Sequence, residues 1–262
     1  MQITDTTYRQ HCVFAELQRY MEFYGQFSMS VFSFATMGTK AICNIDTYVY
    51  SSMQGTLESM RTILLAGRIN DAYTLLRKYH DSAVINIYSN LHLRNNFSIE
   101  NFVVEKINNW LHGKEKLPEY RVMSQYIRTS DTLKPINDVF GIDDRYKRLR
   151  DRCNDHTHYN FYRHALLNDN EVRIENRGWW LDRFSEDAQD LFIFHLGYIF
   201  FLNGHYMMSS DHMDALECGM QPEENSQYRV APFIQEVFDA VITPRRPDVT
   251  SAIKESSAMQ LS

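Results

Sequence analysis

Residues 148–160 read RLRDRCNDHTHYN, with three arginines, two histidines, two aspartates, two asparagines and a cysteine in thirteen positions. The chain as a whole carries a formal charge of -6, so this run of cations and imidazoles stands apart. Guanidinium groups offer forked donors to phosphate oxygens, and imidazole changes its protonation near neutral pH. Residues four apart are neighbours on a helix. Arg148, Arg152 and His156 then form one stripe, and Asn154 and His158 form another. Tyr146, Leu149 and Cys153 make the apolar face, whose next position is His156. His156 is therefore expected at the edge of the core and His158 on the polar side. Three readings are open from these residues. One is a locally hydrogen-bonded histidine with solvated arginines; the second is a phosphate or RNA site. The third is a metal site of Cys153, His156, His158 and His164, but C-x2-H-x-H matches none of the usual zinc spacings. No metal and no other cofactor is expected.

Around this segment the chain reads as helices. With only 6 Pro and 10 Gly in 262 residues, long helices are favoured over an all-β design needing frequent turns. Helical spacing of apolar residues marks 7–27, 45–66 and 69–93, with Gly67 as the cap between the last two; so short a link predicts an antiparallel hairpin. A further helix is expected to start at Ser98 and end at Gly113. Two short helices are expected within 114–141, which Pro118 and Pro135 interrupt. The basic helix 143–157 opens on Asp143 and Asp144, which complement its dipole. A small β-hairpin is expected within 164–180. A long helix over 184–216 and a last one over 230–241 follow. The organisation expected is a single helical domain over 1–243 and a flexible tail over 244–262.

Several function classes lose support. The negative charge argues against broad, nonspecific nucleic-acid binding, though not against a local basic groove. Cys12, Cys43, Cys153 and Cys218 are scattered without CxxC spacing and read as free thiols of a reducing compartment. The start, MQITDTTYRQH, lacks the basic and apolar run of a signal peptide, and a cytoplasmic location is expected. The apolar stretch LFIFHLGYIFFLNGHYMM, 191–208, approaches the ~20 residues of a membrane span. It carries His195, Asn203 and His205 between acidic flanks, so a buried central helix is expected and no membrane association. No P-loop, GxGxxG, HExxH or GxSxG is present.

An Arg, a polar residue and then a His, late in a helical chain and after a long helical hairpin, resembles the HEPN superfamily. The match here is Arg150-Asp151 followed by His156, with five residues between Arg and His. Arg152 to His158 has the same gap, but Cys153 follows the Arg where that family favours a polar residue. A second likeness is LLRKYHD, 75–81, similar to a Leu-Leu-Arg followed four residues later by an acid in bacterial HEPN-like proteins; Arg77 and Asp81 would be the supporting pair. The resemblance covers about 45–215 and implies an all-α, antiparallel helical bundle. It also implies a metal-independent endoribonuclease, in which the RNA 2′-hydroxyl attacks and a 2′,3′-cyclic phosphate is left. His156 or His158 would move the proton, Arg150 or Arg152 would stabilise the charge building on phosphorus, and Asp151 or Asn154 would hold these groups. Arg145, Lys147 and Arg148 would contact RNA. A homodimer is implied, with an antitoxin or regulatory protein as a further partner and phage defence or a toxin system as the setting. The alternative is a non-catalytic helical dimerisation or interaction module with a basic partner-binding helix. The two differ in what His156 must do: a nuclease needs Arg and His converging on an open cleft, whereas a scaffold can bury the His.

Overall fold

The computed structural model describes residues 1–169 and 176–262. Among the described residues the secondary structure is helical, without a strand; Gly38 with Val103 and Met208 with Val230 form isolated bridges. The α-helices among the described residues are α1 (Thr6–Arg9), α2 (Cys12–Ser30), α3 (Ile45–Leu65), α4 (Ile69–Asn96), α5 (Glu105–Leu111), α6 (Tyr120–Arg128) and α7 (Lys134–Phe140). They continue as α8 (Arg145–Thr157), α9 (Tyr162–Leu166), α10 (Arg177–Leu202), α11 (Asp211–Glu217), α12 (Pro232–Val237), α13 (Thr243–Arg245) and α14 (Pro247–Ser256). The hairpin expected within 164–180 falls partly on 170–175, outside the described residues; the chain is helical on either side, in α9 and α10.

Where one domain is expected over 1–243, the contacts group the chain into two compact units, each assembled from three stretches. Unit 1 comprises Met1–Gly25, Tyr48–Ala83 and Asp143–Phe192; unit 2 comprises Gln26–Thr47, Val84–Ile142 and Ile193–Ser262.

In unit 1, α3 buries Tyr50, Met53, Leu57, Met60 and Leu64. These residues alternate three and four positions apart, the spacing of one helical face. Gly67 ends this helix in a left-handed conformation, φ +80°. Its N–H donates to Leu64 O at 2.8 Å and that of Arg68 to Ile63 O at 3.0 Å, the paired bonds that satisfy a helix's last carbonyls. From α2, Tyr20 stacks on Phe192 at 4.3 Å between ring centroids, and Tyr24 meets the same ring edge-on. Burying each such ring contributes roughly 1.5–3 kcal/mol.

In unit 2, the apolar run that raised the membrane question is a buried helix segment: Ile193, Leu196, Ile199 and Phe200 are all sealed from solvent. No helix among the described residues is long and apolar enough to cross a membrane. The run does not continue to 216 as expected. α10 stops at Leu202, and Asn203 departs from helical backbone (φ -127°, ψ 64°) while its amide donates to Asn90 Oδ1 at 2.7 Å. The helix expected from Ser98 starts only at Glu105. Ser98 and Asn101 close a turn instead, and the Val104 N–H goes to Gly38 O at 2.8 Å, a partner outside any helix. The tail also departs from expectation. α14 lies within it and buries Val249, Thr250 and Ile253 at helical spacing.

Gly197 of α10 sits under the Phe140 ring. A Cβ there would lie 2.6 Å from Phe140 Cζ and 3.2 Å from Val249 Cγ1. Phe140 cannot retreat easily, because it stacks on Tyr198 and lies beneath Arg246. Gly197→Ala is therefore predicted to lower the unfolding free energy by about 1–3 kcal/mol, despite alanine's better helix propensity. Urea denaturation checks this; an unchanged or raised midpoint would mean that α7 and α14 do not press on α10 at this point.

Candidate functional site

All the residues singled out for chemistry lie in unit 1: on α4, on α8 with its C-cap His158, and, for His164, on α9. α8 is a short basic helix opened by Asp143, whose Oδ1 accepts the Arg145 N–H at 2.9 Å. Its inward face is Leu149, Cys153 and His156, the face that the apolar spacing implied.

Three of the four arginines of α8, Arg145, Arg150 and Arg152, are held by carboxylates. Arg152 grips Asp187 of α10 with two bonds, Nε to Oδ2 at 2.7 Å and Nη2 to Oδ1 at 2.8 Å. The Tyr73 hydroxyl donates to the same carboxylate at 3.2 Å. Burial pushes the Asp187 carboxyl above its ordinary pKa, against the pull of Arg152 and Tyr73. Arg150 Nη1 reaches Asp81 at 3.1 Å and His80 Nδ1 at 3.4 Å. Arg77 pairs with Asp81 as well, and its Nε donates to Asn154 Oδ1 at 2.9 Å. Partial burial alone would raise the Asp81 pKa; His80 and the Arg77 guanidinium outweigh it and bring it to about 2. Arg145 is tied to Asp143 and, at 3.2 Å, to Asp190. The structure thus brings Arg77, Asp81, Arg150 and Asn154 into one cluster and Arg152 into another.

His156 is fully buried. Its ring lies parallel to Tyr73 on one side and to His164 on the other, both at 4.0 Å between centroids, with Trp180 edge-on at 5.5 Å. Asn70 Oδ1 lies 2.8 Å from Nδ1. An amide oxygen only accepts, so Nδ1 carries the proton. Nε2 keeps its lone pair and has no hydrogen-bond partner among the described residues. Burial, reinforced by His164, Arg152 and Arg163, pushes the His156 pKa down to about 3. In this arrangement His156 is neutral and presents no surface to solvent. His158 caps the same helix and is exposed, as are Lys147, Arg148 and Asp151. Cys153 is buried, and its thiol is pushed far up by that burial. Among the described residues no group of three or more His, Cys, Asp or Glu could hold a metal ion.

Beyond His158 the chain makes an unusual turn. Tyr159 adopts φ +49°; its N–H bonds to His156 O and that of Asn160 to Asp155 O, a helix end normally built on glycine. A tyrosine there costs roughly 1–2 kcal/mol relative to right-handed backbone. The turn leads into Phe161 and Tyr162, which are exposed together with Tyr159, Tyr162 to 80%. Arg163 lies over the Phe161 ring at 5.0 Å, and neither it nor Lys147 nor Arg148 has an ion-pair partner among the described residues.

Asp187, Tyr73, Asn70 and Trp180 were not legible as site residues, and His164 entered only the metal reading. Asp187 alone left a trace. It falls between Phe184 and Leu191 on the apolar face of α10, where a carboxylate needs a partner. Comparison with family models, with curated proteins and with solved structures gave no match.

Removing one member of a buried ion pair strands the other. Arg152→Ala leaves Asp187, whose side chain is 4% exposed, without its counter-charge and with only the Tyr73 hydroxyl, and should cost about 3 kcal/mol near pH 7. The folded pKa of Asp187 already lies above its unfolded value, so the folded state binds more protons and stability falls as pH rises through that pKa. Loss of Arg152 raises the folded pKa further. The deficit of the variant should therefore shrink between about pH 7 and pH 5; denaturant melts at the two pH values check this, and equal deficits would assign the loss to packing.

Proposed function

We propose that this chain is a non-catalytic helical interaction module whose partner is unpaired RNA, bound on the exposed side of α8 and the turn that follows it. The observation that carries this reading is the burial of His156 between Tyr73 and His164. The group that a ribonuclease would use as its base is closed off, while aromatic rings a few residues later face solvent. Tyr159, Phe161 and Tyr162 offer stacking faces for splayed bases, and Lys147, Arg148 and Arg163 offer charge to phosphates. The left-handed Tyr159 fits a backbone held in a costly conformation to present these rings.

A second reading is favoured by one observation, the exposure of His158. In the Arg152–His158 spacing of the HEPN-like motif, His158 would take or give the proton and the exposed Arg148 would meet the phosphate. Arg152 would first have to leave Asp187.

Incubating the full chain with unstructured RNA in EDTA separates these readings. The module should bind RNA and leave it intact. Tyr162→Ala should weaken binding about tenfold, within the 1–3 kcal/mol of a stacked base, and log K should fall with log salt at a slope of about -2 for three phosphate contacts to a single strand. Tyr159→Gly should be more stable yet bind less well. Cyclic-phosphate products lost in His158→Ala would move the assignment to the nuclease, and absence of any RNA binding would overturn the RNA assignment.

A further inference from the structure

Unit 1 holds a second group of reactive side chains, apart from α8 and independent of the RNA reading. Cys12, the first residue of α2, is exposed. Its Sγ lies 3.8 Å from Nδ1 of His11, and His11 Nε2 lies 3.1 Å from Oδ1 of Asp182 on α10. The backbone fixes which imidazole nitrogen carries the proton. The Val13 N–H points at His11 Nδ1 across 3.3 Å, and an amide N–H only donates. Nδ1 therefore keeps its lone pair, and Nε2 carries the hydrogen that Asp182 accepts. A thiol, an imidazole lone pair facing it and a carboxylate behind the imidazole are the nucleophile, base and orienting group of thiol acyl chemistry.

The surroundings define how the thiol can react. Burial, reinforced by the charges of Glu16 and Asp182, holds the Cys12 pKa above its ordinary value. The thiol is thus protonated at rest and must pass its proton to a base as it attacks. Glu16, the other base near the thiol, already accepts the Ser185 hydroxyl, which leaves His11 for that role. Two carboxylates beside the sulfur disfavour an anionic donor. Trp179, one helical turn before Asp182 on α10, is 51% exposed and offers an apolar wall for an acyl chain. Cys12 opens α2, and the first N–H groups of a helix have no partner within it; such groups can meet the oxygen of a tetrahedral intermediate.

We propose that Cys12 is an acyl-acceptor site, modified by uncharged acyl thioesters with His11 as the base and Asp182 positioning it. Sγ attacks the carbonyl carbon as its proton moves to His11 Nδ1. The new S–C bond forms, the C–S bond of the donor breaks, and the proton passes from His11 to the departing sulfur. The products are acyl-Cys12 and the free donor thiol, and nothing is oxidised or reduced.

To test this, the full chain is incubated with the acetyl thioester of N-acetylcysteamine, an uncharged donor, and each cysteine is followed by peptide mass spectrometry. Cys218 is also exposed and has no imidazole bonded to its sulfur among the described residues, so it serves as the internal standard. Acetyl should accumulate on Cys12 about a hundred times faster than on Cys218. Acetyl coenzyme A, a polyanion, should label Cys12 severalfold more slowly. His11→Gln should bring Cys12 down to the Cys218 rate. The Asp182 side chain is 66% exposed, so Asp182→Asn should leave the circular dichroism unchanged yet slow Cys12 at least about tenfold, while Asp182→Glu keeps the rate. Equal rates at Cys12 and Cys218 would overturn the proposal. So would a Cys12 rate that neither His11→Gln nor Asp182→Asn changes.

Discussion

Asp187 lies on the apolar face of α10, and a carboxylate taken out of water must be compensated or neutralised. Arg152 meets it with two parallel bonds and Tyr73 adds a third. Because these partners come from α8 and α4, one ion pair fixes the rotation of α8 within unit 1. Arg152 turned toward Asp187 directs Cys153 and His156 inward, and His156 completes a stack of Tyr73, His156 and His164. The same rotation places Arg150 and Asn154 beside Arg77 and Asp81, and leaves Lys147, Arg148, Asp151 and His158 facing solvent. The residue types that suggest phosphate chemistry are therefore divided. Some are consumed in holding the helix; the remainder form its outer face.

Unit 2 buries an acid by different means. Asp46 accepts hydrogen bonds from Asn86 at 2.7 Å, Asn90 at 3.2 Å and the Tyr206 hydroxyl at 3.0 Å. Burial raises its pKa, and the three neutral donors oppose that rise without a cation. Asn86 Oδ1 also meets His195 Nε2 at 2.9 Å, so His195 is a hydrogen-bonded core residue. These polar groups hold helix positions far apart in sequence, and each has the partner that its burial demands.

Local features were the legible part of the fold. The stripe on α3, the left-handed glycines at 67 and 113 and the apolar face of α8 all follow from periodicity and backbone freedom, which depend on a few adjacent residues. The inward place of His156 followed from its register with Leu149 and Cys153. Features set by distant partners were not legible. α10 stops at Asn203 because of Asn90, and α5 starts late because Val104 bonds to Gly38. α14 is ordered by the burial of Val249 and Ile253, although Pro244, Pro247 and small polar residues suggested a loose tail. The site followed the same division. Arg77 and Asp81 could be paired from their spacing, but the ties of Arg152 to Asp187 and of His156 to Asn70 join residues tens of positions apart, and no spacing rule encodes them.

The central claim is that His156 is sealed, neutral and protonated on Nδ1. The measurement that tests it most directly is a histidine-selective NMR titration of the full chain, with His156 assigned by its loss in His156→Gln. The account predicts the Nδ1–H tautomer and no titration from about pH 8 down to pH 5, as burial disfavours the charged form. A His156 that titrates near the ordinary imidazole value, or carries its proton on Nε2, would contradict it and reopen this residue as an acid–base group.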